Sequence, residues 1–148
     1  MLLSRVGYWR PLRGHCQDGA DDCGLPDPRE LVEATLDSEI RIRVASYLKC
    51  GRIQGYGFGY SYCRFQCGTP DSMMGSTDLT DGAWVWPEGL WHYVEVHSIR
   101  LPHKFIEHLR QRDFRHLTDA EFSDLAKLDD GQHFHTPAEL YQSLKEGW

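Results

Sequence analysis

Two pairs of residues have side chains fit for metal binding or nucleophilic chemistry: Cys63 and Cys67, with Cys50 upstream, and His92 and His97 downstream. Thiolates and imidazoles are the ligands that zinc takes in tetrahedral structural sites. The local pattern argues against that use. CRFQC follows an alternating aromatic run, and an extended strand would hold the two sulfurs about 13 Å apart, whereas a zinc knuckle needs a short turn. A bulge would rescue the geometry, so an enzyme or metal-dependent site built from Cys63, Cys67, His92 and His97 stands as the alternative reading. Cys63 or Cys67 as nucleophile with His92 as base needs the fold to join them, which the sequence does not display. The residues by themselves predict thiols in the free state, with no metal, no cofactor and no catalytic set.

Other polar clusters read as surface. His133-Phe134-His135 and the helical face Glu88, His92, Glu95 lack a third convergent ligand type. Gly55-Tyr56-Gly57-Phe58-Gly59-Tyr60 is rich in glycine, but it alternates with aromatics and leads into more strand, not into a helix start that could receive phosphate. Ser76, Thr77, Asp78, Thr80 and Asp81 form a polar knot without the spacing of a calcium loop, and turn hydrogen bonding accounts for them.

The elements that must position these residues follow from capping and periodicity. Residues 1–26, punctuated by glycine and proline, predict an irregular leader, and residues 27–148 a single domain. Asp27-Pro28 opens a short helix to about Ala34, and Asp37 caps a helix over 37–50 with Gly51 just beyond. After Gly51 the period changes to two, placing Tyr56, Phe58, Tyr60 and Tyr62 on one side of a strand or a kinked pair of strands within 53–67. Residues 68–76 read as a loop, Asp81-Gly82 as a turn, and Ala83–Trp86 as the return strand with Trp84 and Trp86 on one face. Proline then launches helices at Pro87 (to His97) and Pro102 (to Arg112), Thr118 or Asp119 caps another, and Thr136-Pro137-Ala138-Glu139 opens a last one.

The chain has 148 residues, 41% of them apolar, enough for a self-sufficient core. A formal charge of −6 argues against nucleic acid as the general partner. The absence of a long apolar run argues against a membrane span and predicts a cytoplasmic protein, with its five cysteines reduced.

The run Thr80-Asp81-Gly82-Ala83-Trp84-Val85-Trp86-Pro87, continued by Leu90 and His92-Tyr93-Val94, resembles a group of small, mostly uncharacterised, largely bacterial proteins sharing a TDGxWxWPxxLxHYV core. The resemblance extends upstream to Arg43-Val44 and Tyr47-Leu48, Gly51, the segment Ser61–Phe65, and Cys67-Gly68, and covers roughly residues 27–110. Cys50 stands where that group carries a serine-like residue. The resemblance implies no catalytic assignment, and some look-alikes have the small-domain character of toxin-immunity proteins.

Together these readings predict an α+β domain: a small antiparallel sheet packed by helices on one face, with further C-terminal helices. They predict a non-enzymatic interaction domain that binds a protein partner through an aromatic sheet face and the 68–82 loop. The expected contact residues are Tyr56, Tyr60, Tyr62, Asp78, Asp81, Trp84 and Trp86, since aromatics are enriched at binding surfaces.

Overall fold

The computed structural model describes residues 3–12 and 24–127. The predicted last helix from Thr136 and the His133–His135 cluster lie outside the described residues, as do Cys16 and Cys23. The fold is α+β, with a four-stranded sheet in the order β1-β4-β3-β2. Three strands form an antiparallel meander: β2 (Arg52–Tyr56), β3 (Thr77–Thr80) and β4 (Trp84–Pro87). The sheet is mixed, not purely antiparallel, because β1 (Ser4–Arg5) pairs parallel to β4. This also corrects the expected leader: Leu3, Val6 and Trp9 are buried, so residues 3–12 belong to the folded body.

The helices begin where local chemistry dictates. Asp27 accepts a hydrogen bond from the backbone N–H of Arg29, and the short helix it opens is a single 3-10 turn, Pro28–Leu31. Asp37 accepts from the N–H of Ile40 at 3.0 Å and caps α1 (Ser38–Lys49), which buries Val44, Ala45, Tyr47 and Leu48. The expected 68–76 loop contains a one-turn helix, α2 (Asp71–Met74). Pro87 remains in β4, so α3 (Leu90–His97) starts three residues later than its proline suggests. Pro102 precedes α4 (His103–Gln111). Thr118 and Glu121 exchange side-chain-to-backbone bonds in a capping box that opens α5 (Asp119–Lys127).

The core is centred on Trp86, which is 0% exposed and donates its indole N–H to Leu48 O at 3.1 Å. Trp84 and Trp86 both pack on Phe105 of α4, at ring separations of 5.1 and 6.0 Å. Gly51 permits this closeness, because a Cβ there would lie 2.6 Å from the Trp86 ring.

The β3–β4 turn is anchored from below. Asp81 Oδ1 accepts from the N–H groups of Ala83 and Trp84, and Oδ2 accepts from Tyr47 Oη at 2.7 Å and His108 Nε2 at 2.8 Å. Burial works against this carboxylate, but those donors more than offset it and hold its pKa down at about 2. Asp81 therefore fastens the hairpin to α1 and α4.

Candidate metal centre

Residues 56–70 leave the sheet after β2 without continuing as a strand. The backbone is tied to the β3 side by Gly57 N–H to Ser76 O at 2.6 Å and Ser61 N–H to Gly75 O at 2.9 Å. It then makes a turn at Arg64-Phe65, where Gln66 N–H reaches Cys63 O at 3.0 Å and Gln66 itself adopts φ +49°. This turn overturns the expected 13 Å separation of the sulfurs. Cys67 Sγ lies 3.2 Å from Thr69 Oγ1, a bond that favours its thiolate.

The opposite half of the cluster comes from α3. His92 was expected on its solvated face, but it is 2% exposed and turns its Nε2 toward the thiols. Tyr93, between the two histidines in sequence, ties helix to knuckle: its hydroxyl accepts from Arg64 N–H at 3.0 Å and donates to Tyr62 O at 3.2 Å. His97, in the last helical turn, stacks face to face on Phe65 with ring centres 4.0 Å apart.

The four ligand atoms converge. Cys63 Sγ lies 3.4 Å from His97 Nε2, Cys67 Sγ lies 3.4 Å from His92 Nε2, and the two Nε2 atoms are 3.2 Å apart. All four fall within 4.8 Å of one another. With Zn–S about 2.3 Å and Zn–N about 2.0–2.1 Å, a regular tetrahedron has N···N edges of about 3.3 Å and N···S edges of about 3.6 Å. Three of the six edges, 3.4, 3.4 and 3.2 Å, lie close to those values. Burial lowers the pKa of both imidazoles, and the neighbouring His92 lowers His97 further, so both favour the neutral form a metal requires. Burial raises the Cys63 thiol, while hydrogen bonding from Thr69 lowers Cys67. Cys67 is exposed, and a recess of about 300 Å³ lined by Tyr62, Gln66, Gly68 and Thr69 reaches the two sulfurs from solvent.

The predicted aromatic contact set does not form one surface. Tyr56 and Tyr60 are 76% and 64% exposed, and Phe58 between them is fully exposed. Tyr62 is half-buried, with its hydroxyl accepting from Leu12 N–H and the Arg64 guanidinium over its ring. Asp78 is half-buried beside Tyr8, where burial raises its pKa, and Trp84 is half-buried against α4. Trp86 and Asp81 must be struck from the set, since both are core residues that present no face to a partner. Tyr56 and Tyr60 border a cleft of about 320 Å³ whose other walls include Tyr8, Trp9, Asp78 and Glu88. Glu88 Oε2 accepts from the N–H groups of Ser76 and Thr77 and from Thr77 Oγ1, so the polar knot is chiefly a turn fastened to the start of α3.

A sequence signal for the metal cluster existed. The spacing Cys63-x3-Cys67 with His92-x4-His97 lies within the range C-x2–4-C and H-x3–5-H of structural zinc sites. Among the described residues, no helix is long and apolar enough to cross a membrane. The chain matches no protein-family model, no curated protein and no solved structure.

Proposed function

We propose that the chain is a zinc-binding domain in which Cys63, Cys67, His92 and His97 hold one Zn²⁺ in a closed structural site. The observation that carries this reading is the agreement of three inter-ligand distances with the edges of a zinc tetrahedron. Two thiolates and two neutral imidazoles suit zinc better than a hard cation, and with Zn²⁺ they sum to zero charge in a half-buried place. Four protein ligands fill the coordination shell, which distinguishes the site from a catalytic centre that keeps an open position for water. The role of the metal is to staple the long irregular segment 57–70 onto α3. That segment carries Phe58 and Tyr60 at its near end, next to Tyr56 at the end of β2, and their exposure favours a second, compatible reading: a protein-binding ledge whose conformation the metal fixes.

The test is metal analysis of the full-length protein purified with reductant and without a histidine tag, followed by cobalt substitution. The expected result is one zinc per chain and, for the Co²⁺ form, a thiolate-to-cobalt charge-transfer band with the visible bands of tetrahedral cobalt. Cys63→Ser should lose both. A folded protein that carries no stoichiometric metal and gives no tetrahedral cobalt spectrum would overturn the reading.

A further inference from the structure

A second recess shares no residue with the metal centre. It lies where α1, the end of α3 and the start of α4 meet, and has a volume of about 260 Å³. Its floor is apolar: Leu36, Ile40, Val44, Ile99 and Ile106, with Val44 and Ile99 fully buried and the others half-buried. Its rim is cationic, with Arg41, Arg100 and Arg110 set against one carboxylate, Glu33, and His103 beside them. The chain as a whole is acidic, at −6, so this ring of positive charge runs against the overall sign. The arginines elsewhere are mostly spent on ion pairs or aromatic rings, as Arg29, Arg43, Arg52 and Arg115 are. By contrast, Arg100, His103 and Arg110 are exposed and form no ion pair among the described residues. Arg41 gives one N–H to Ser98 Oγ at 2.6 Å, and its Nε is buried without a hydrogen-bond acceptor. Glu33 is the one carboxylate in the lining, and among the described residues it forms no ion pair with these groups.

We propose that this groove docks an acidic amphipathic segment of a protein partner, laid in as a helix with its apolar stripe on Leu36, Ile40 and Ile106 and its carboxylates facing the arginine rim. The volume is below the range of about 300–1,000 Å³ typical of small-molecule pockets, which fits anchoring side chains better than an enclosed metabolite. Three helices and the segments between them form the walls, and an apolar trough edged by charge is how helix-in-groove recognition obtains both affinity and polarity. Arg100 and Arg110 supply long-range attraction for an acidic segment and reject a basic one. The ledge of Tyr56 and Tyr60 has no comparable charge signature, so the partner's chemistry is better specified here.

The experiment is amide-resonance mapping of the full-length, metal-loaded protein at low salt. The probes are a designed acidic amphipathic peptide (leucines at i, i+3, i+4 and i+7, glutamates elsewhere), its twin with lysine in place of glutamate, and dodecanoate. The acidic peptide should shift amides of Ile40, Val44, Val94, Ile99 and Ile106. Its affinity should exceed that of the lysine twin by at least about tenfold and fall by a similar factor in the R100E/R110E double variant. Both substitutions lie at exposed positions, so the variant's melting temperature should match the parent's and exclude misfolding. The proposal is overturned by any of three results: no groove shifts with the acidic peptide at about 1 mM, equal binding of both peptides, or groove shifts with dodecanoate alone.

Discussion

Replacing Cys67 by serine removes one proposed zinc ligand at an exposed position, so little packing is lost with the sulfur. In the proposed site a metal would bridge Cys67 to His92, which are 25 positions apart. Treated as a cross-link that restricts the unfolded chain, closure of a loop of that length corresponds to about 3.5 kcal/mol. Mass action gives a similar size, about 4 kcal/mol when free metal exceeds its dissociation constant about a thousandfold. In a domain of this length each kcal/mol moves Tm by about 2–4 °C, so zinc-loaded parent protein should melt about 7–14 °C above the chelated form. The assay is thermal unfolding by circular dichroism for parent and C67S, each with zinc and with chelator, under reductant. Parent with chelator should coincide with the variant, and zinc should raise only the parent. A parent Tm indifferent to zinc and chelator would remove the staple argument, and a variant that kept the full zinc shift would remove Cys67 from the site.

The buried carboxylate and the two imidazoles, His92 buried and His97 half-buried, give further predictions of opposite origin but the same direction in pH. Asp81 has a side chain that is 0% exposed and a pKa held at about 2 against an ordinary 3.8, a difference worth about 2 kcal/mol. Because its folded pKa is the lower one, that stability is present above pH 3.8 and drains away as pH falls toward 2. Asp81→Asn keeps the acceptor for Ala83 and Trp84 but sets an amide against Tyr47 and His108, so urea unfolding at pH 7 should show a loss of about 2–3 kcal/mol, and the parent's decline between pH 4 and 2 should flatten. Burial holds His92 and His97 below their ordinary 6.5, so the unfolded chain takes up protons first as pH drops through 6.5. The chelated protein should therefore lose stability from that point downward, and zinc affinity measured calorimetrically should weaken over the same window, because the ligands must be deprotonated. Zinc affinity that stays constant from pH 8 to pH 6 would count against imidazole ligation.

Local chemistry is legible where a few adjacent residues decide the outcome. Asp37 caps α1 and the Thr118–Glu121 box opens α5, because the satisfied N–H groups lie within three residues. Asp81-Gly82 turns the chain for a similarly local reason: Gly82 adopts φ +90° and Asp81 accepts from the N–H groups of Ala83 and Trp84. β3 is different. Thr77-Asp78-Leu79-Thr80 is too short and too polar to mark a strand by alternation, and its place is set by Glu88, by hairpin pairing with Trp86 and by pairing with Ile53 far upstream. β1 depends likewise on β4, some eighty positions away, so Leu3, Val6 and Trp9 carry no periodic mark of their burial.

The metal centre shows the same division within one site. The spacing of its four ligands was readable, but the alternation of Tyr56, Phe58 and Tyr60 suggested a pleat that would carry through Cys63 and Cys67. That alternation instead leaves three aromatics standing in solvent, and the segment is held by single backbone bonds from Gly57 and Ser61 to the β3 side. Freed from a ladder, the chain can curl at Arg64–Gln66, and Tyr93 fixes the curl by bonding to both Tyr62 O and Arg64 N–H. Period-two patterning specifies a strand only where one face is buried. A glycine-aromatic run whose large side chains remain exposed is therefore better read as an outlying ledge, and the cysteines beyond it as residues free to meet a distant pair of histidines.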